Sequence, residues 1–123
     1  GFDVEALRLA EGGPFEKLIV ASLIAAVTVL QLVRERDGTA GRPLDDAIDA
    51  DDRPALEAVS AQLEGKTERQ KNPHPTGSLA YAAWVFARLG GWTGYYGKPG
   101  PVVMLQGLVQ FHAIKHGWNL RNV

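Results

Sequence analysis

Asp45, Asp46, Asp49, Asp51 and Asp52 crowd five carboxylates into a short stretch, and carboxylates at close spacing hold divalent cations. The spacing fails the calcium-loop template. Counting from Asp49, the fifth position is Arg53 and the twelfth is Ser60, and no glycine stands at the sixth. A solvated acidic loop leading into a helix is the preferred reading. A catalytic carboxylate pair would need two of these groups in one cleft, and nothing in the pattern places them so. His112 and His116 sit four apart, the spacing of a two-histidine metal edge on a helix. Ala113 occupies the position where the zinc-protease motif has its glutamate, and no third ligand is evident. The expectation is therefore no metal site and no catalytic residue. His116 is expected to cap a helix carboxyl end, and His112 to lie in the core or an interface.

The glycine-rich run Gly90-Gly91-Trp92-Thr93-Gly94 is no phosphate cradle, because it lacks both the lysine and the strand-then-helix context. Trp92, Tyr95, Tyr96 and Lys98 would suit stacking on bases. Aromatics folded back on the core are the plainer and preferred reading. Lys66, Arg69, Lys71 and Lys98 are the candidate phosphate contacts, set against the commoner role of solvated surface cations.

Whatever these groups do, helices must position them. The 123 residues suit about one domain, with 46% hydrophobic residues and a formal net charge of −1. That balance excludes native disorder. Near-neutrality argues against a protein that coats nucleic acid or membrane. The absence of cysteine removes disulfide scaffolds, thiolate zinc sites and thiol catalysis. No signal segment is recognisable, and the chain begins at Gly1 with its single methionine at Met104, so it reads as a piece of a longer polypeptide. Residues 37–64 carry eight acids and two bases, net −6, whereas residues 65–123 carry one acid and seven bases, net +6. Such halves either pair within the fold or meet different partners.

Pro14 to Arg36 is the strongest helix. Pro14 suits the first turn, Glu16 the positive end of the dipole, and Arg34 and Arg36 the negative end, before Asp37-Gly38 stops it. Its interior from Leu18 to Val33 has no polar stripe, so it is either buried on most sides or spans a bilayer. The apolar run falls short of the ~20 residues a span needs and includes Ser22, Thr28 and Gln31, so the central helix of a core is expected, with no membrane and a cytoplasmic location. Part of its surface is expected to lack cover and to seek a partner. A second helix runs from about Arg53 to Glu64 with Leu56, Val59 and Leu63 inward. The polar residues 66–77 form a long loop, expected to be mobile or functional and to act as a subdomain linker. Ser78 caps a third helix through Leu89, ended by Gly90-Gly91. The last opens at Pro101 and is expected to stop at Gly117. Its inner face is either Val102, Leu105, Val109 and His112 or Met104, Leu108, Phe111 and Lys115, and Gly107 would admit another helix closely. The fold class is all-α, a small bundle of about four helices with a long polar loop.

The string Gly77-Ser78-Leu79-Ala80-Tyr81-Ala82-Ala83-Trp84-Val85-Phe86-Ala87-Arg88-Leu89-Gly90-Gly91-Trp92 is distinctive. Together with Pro99-Gly100-Pro101 and the earlier Phe15-Glu16-Lys17-Leu18-Ile19-Val20, it resembles the C-terminal part of the insertion-sequence-four family of bacterial cut-and-paste transposases, over about Gly1 to Trp118. The Ala87-Arg88-Leu89-Gly90-Gly91-Trp92 stretch is the most specific part. The resemblance implies a parent with a ribonuclease-H-like core, whose two aspartates and one glutamate hold magnesium or manganese for DNA strand transfer. In the family pattern the glutamate's motif ends shortly before a segment like Gly1-Phe2-Asp3-Val4-Glu5. Neither aspartate has a counterpart here, and Glu5, Glu11 and Glu16 lie outside the motif. No catalytic residue and no cofactor are therefore carried over.

By the same resemblance, residues 1–36 are a remnant of the catalytic core and 37–123 the helical dimerisation region. The expected function is dimerisation in synapsis, as a homodimer joined to the rest of the transposase and, through it, to transposon-end DNA. The expected contact residues are Val103, Met104, Gly107, Leu108 and Phe111 on the last helix. An accessory DNA-binding role through Lys66, Arg69, Lys71 and Lys98 is the alternative.

Overall fold

A computed structural model describes residues 14–93 and 97–121. Glu5 and Glu11, and the resemblance over Gly1–Gly13, lie outside the described residues. Four helices carry the fold: α1 (Pro14–Glu35), α2 (Arg53–Leu63), α3 (Leu79–Leu89) and α4 (Pro101–Arg121). Short 3-10 turns at Leu44–Asp46, Ala50–Asp52 and Glu68–Gln70 punctuate the loops. No strand occurs among the described residues, and the architecture is an all-α bundle.

The central helix is α3, not α1 as expected. Every residue from Leu79 to Ala87 is buried, and α3 packs against all three other helices. Four alanines, Ala80, Ala82, Ala83 and Ala87, keep its flanks thin enough for neighbours on every side. Its start is fixed by the Ser78 hydroxyl, which accepts the Tyr81 N–H at 3.3 Å. Closest approach comes at Gly107 of α4. A side chain there would overlap the backbone carbonyl of Phe86, so only glycine lets the two helices meet. Phe86 and Phe111 then stack edge to face, with centroids 5.1 Å apart.

Gly117 does not end α4, which continues to Arg121. Glycine stops a helix when the chain turns left-handed after it, and Gly117 has no such φ; Gly38, Gly41, Gly91 and Gly97 do. Asp52 stands at the N-cap of α2 without a side-chain capping bond, because the Ala50–Asp52 turn already runs into the helix.

The 66–77 loop is pinned rather than left as a linker. The Asn72 side-chain amide donates to the Tyr81 carbonyl at 3.2 Å, its backbone N–H donates to Glu64 Oε1 at 3.1 Å, and its side-chain oxygen accepts the His74 N–H at 3.1 Å. The loop's end is clamped to the segment after α1: Leu44 N–H donates to the Gly77 carbonyl at 2.8 Å, and Leu79 N–H to the Arg42 carbonyl at 2.9 Å. Helices from both sides of the loop thus share one core, containing Leu32, Leu44, Leu56, Leu79, Phe86, Met104 and Phe111. The opposed charges of the two chain halves partly meet within this fold. Lys98 pairs with Asp37 at 2.8 Å, and Lys115 with Asp52 at 3.2 Å.

Candidate interaction surface

Of the two faces open to α4, the structure turns Met104, Leu108, Phe111 and Lys115 inward. That corrects the expected contact set. Met104, Leu108 and Phe111 are at most 5% exposed, Gly107 is closed off by Phe86, and Val103 is half-buried against the core. None of them is offered to a partner, because the same apolar character that suggested an interface is consumed in packing on α3. The opposite face is left outside: Val102 is 68% and Val109 60% exposed, with Leu105 between them also exposed.

α1 continues this surface. Leu18 and Leu30 are each 64% exposed, and Ile19, Leu23, Ile24 and Val27 are exposed as well. Among the described side chains of this helix, Val20, Val29 and Leu32 are the buried hydrophobic ones. α1 is long and apolar enough to cross a membrane, by length and composition alone. Its Thr28 hydroxyl is satisfied by the Ile24 carbonyl at 2.9 Å, and Gln31 reaches the Asp46 carbonyl at 3.4 Å. The uncovered surface expected of this helix is therefore present, and larger than a central position would have left. Two grooves flank the seam where α1 meets α4. One is uncharged and almost entirely apolar, about 480 Å³, and runs between Ser22, Ala26, Leu30, Pro101 and Val102. The other, about 510 Å³, has an apolar floor and a polar edge made by the charged Asp49, Asp52 and Lys115 together with the His112 imidazole. Desolvation, aided by Lys115, holds the His112 imidazole toward its neutral form.

Comparison with protein-family models, curated proteins and solved structures found no match.

The candidate basic residues are only partly brought together. Lys71 and Lys98 line one cleft of about 250 Å³ with Arg36, His74, Trp84 and Trp92. Arg36, expected only to offset the helix dipole, donates to the Pro99 carbonyl at 2.7 Å and so ties the end of α1 to the start of α4. Both lysines already have acidic partners, Lys71 with Glu68 at 3.4 Å and Lys98 with Asp37 at 2.8 Å. Lys66 is exposed and outside the cleft lining. The Arg69 side chain and Tyr95 and Tyr96 lie outside the described residues. Trp92 packs against the core with its indole N–H on the Gly97 carbonyl at 3.2 Å, the plainer of its two readings. Among the described residues, no three His, Cys, Asp or Glu side chains converge to hold a metal, and His112 and His116 both lie on the exposed side of α4.

His74 gives the cleft a pH response. Desolvation lowers its pKa below the ordinary 6.5, more than nearby Asp37 raises it. The unfolded chain therefore binds a proton that the native state resists. Stability contributed by neutral His74 is complete above about pH 6.5 and is lost as pH falls through that value toward the lower native one. Urea midpoints measured from about pH 7.5 down to about 5.5 should fall for the wild type and fall less for His74→Gln. Parallel pH profiles for the two chains would show that His74 is not the source.

Proposed function

We propose that this chain is a protein–protein module: the C-terminal dimerisation region of a bacterial cut-and-paste transposase, inert in catalysis by itself and acting in the cytoplasm. The carrying observation is the exposed apolar seam of α1 and α4, with Leu30 and Val102 walling an uncharged groove. Monomeric proteins rarely expose continuous apolar patches of this kind, which mark interaction sites. A two-fold dimer needs a self-complementary patch, and an apolar groove without charges presents no like-charge clash to its own copy. The resemblance of residues 77–92 to the transposase family supplies the parent, and the remaining chain would supply the carboxylates and the magnesium or manganese. The dimer contact thus moves from the inward face of α4 to its outward one.

A second reading, DNA contact, rests on the cleft that brings Lys71, Lys98 and Arg36 beside Trp84 and Trp92. It is the weaker reading, because two of the three cations are already paired with acids.

Sedimentation velocity tests both. The wild type should sediment as a dimer burying roughly 1,200–2,000 Å². Leu30→Glu and Val102→Glu, both at well-exposed positions, should return folded monomers. A wild type that stays monomeric at high concentration removes the dimerisation reading. Adding duplex DNA at low salt should give a faster complex only if the cleft also contacts phosphates. That complex should dissociate at higher salt and weaken in Lys71→Ala and Lys98→Ala.

A further inference from the structure

The second groove beside the α1–α4 seam is built differently from the first. Its α1 wall is Ala21, Ile24, Ala25 and Thr28, the i, i+3, i+4, i+7 positions of one helix face. Leu105 and Val109 stand exposed on the α4 side over the buried Leu108, and Ala47 and Ile48 complete the apolar lining. The α1 wall is roughly 10 Å long at 1.5 Å per residue, matching about two turns of a guest helix. Two neighbouring helices with a trough between them can receive a third by ridge-into-groove packing.

Charge decides whose helix. Asp49 lies on the rim, exposed and in no ion pair among the described residues, while Asp52 beside it is shared with Lys115. Asp45 and Asp51, exposed on the same connecting segment, add further negative charge. A second copy pairing through this groove about a two-fold axis would set one acidic rim against the other, which is repulsive. The rim therefore disfavours self-pairing here and favours a cationic border on the guest. We infer that this groove docks an amphipathic helix of a different protein segment, one whose apolar stripe is edged by lysine or arginine. This goes beyond dimerisation and uses the other flank of the seam.

The probe is a synthetic helix of about 18 residues with leucines at i, i+3, i+4, i+7 spacing and lysines on both edges, against a twin with glutamate for lysine. Binding is read by fluorescence anisotropy on the Leu30→Glu chain, so that dimerisation cannot mask it. The lysine peptide should bind saturably at micromolar concentration, at least about tenfold tighter than its glutamate twin. Replacing Asp45, Asp49 and Asp51 together by asparagine should weaken it by about three- to tenfold. Val109→Glu, at an exposed position, should abolish it. That last result also discriminates, because mere attraction of a cationic peptide to an acidic surface would grow when an acid is added. Equal binding of the two peptides, or binding that survives Val109→Glu, overturns the inference. So does displacement of the lysine peptide by zwitterionic lipid vesicles, which would make the groove a lipid-facing surface. A monomeric wild type that still binds the peptide overturns only the dimer. A dimer that ignores the peptide overturns only this inference.

Discussion

Gly107→Ala is expected to destabilise the chain by about 3 kcal/mol, against the ordinary trend for such a change. In an exposed helix interior, replacing glycine by alanine gains about 1 kcal/mol from helix propensity. At position 107 the new methyl group would overlap the Phe86 carbonyl and its carbon, which belong to the buried central helix. Backbone cannot rotate away as a side chain does, so α3 and α4 must separate. Separation would also open the Phe86–Phe111 contact and expose Met104 and Leu108. Gly117 on the same helix is the internal control. A Cβ there meets nothing within 4 Å, so Gly117→Ala should stabilise by about 0.5–1 kcal/mol. Urea unfolding of the two variants should move the midpoints in opposite directions at unchanged slope. A Gly107→Ala chain as stable as wild type would refute the close crossing of α3 and α4, and with it the outward assignment of Val102, Leu105 and Val109.

The contrast between these two glycines shows what the sequence could and could not convey. Local punctuation was legible: Pro14, Pro54 and Pro101 sit in first turns, Ser78 caps α3, and Gly90 follows its last residue. These features act over a few bonds, so the neighbouring residues specify them. Burial depends on the rest of the fold. α1 and α3 are both apolar all round, and α1 is the longer, yet α3 takes the centre because its alanines admit three neighbours. The same limit applies to α4, whose two apolar stripes are nearly equivalent in composition. Gly107 breaks the tie, since only the stripe flanking it can approach α3. The expected interface residues lie on that favoured stripe, and being favoured is why they are buried. The 66–77 loop misled differently. Its polar composition is typical of a mobile linker, but Asn72 spends its amide on Tyr81 and its N–H on Glu64, partners invisible to local pattern.

The other large effect is expected at Glu35, which no pattern in the sequence singled out. It is 2% exposed, lies in the last turn of α1 where the helix dipole is already negative, and neither carboxylate oxygen receives a hydrogen bond. Arg42 is its ion-pair partner, with Nε 3.3 Å from Oε1, and the same guanidinium also reaches Asp46 at 3.6 Å. A buried pair adds little net stability, but a buried charge stripped of its partner is strongly destabilising. Arg42→Met should therefore cost about 2–3 kcal/mol, below the ~3–5 kcal/mol of a fully buried pair because the Arg42 side chain is itself half exposed. Glu35→Leu should cost far less, since it removes the buried acid and leaves Arg42 free to face Asp46 and water. The double variant should recover most of what Arg42→Met loses, a coupling that additive effects cannot give. The recovery has a structural reading too. The Arg42 carbonyl receives the Leu79 N–H at 2.9 Å, so the Glu35–Arg42 pair holds the end of α1 against the start of α3. If Arg42→Met melts like the wild type, Glu35 is not carried as an uncompensated charge, and the register between those two helices is set by the Leu44 and Leu79 backbone bonds alone.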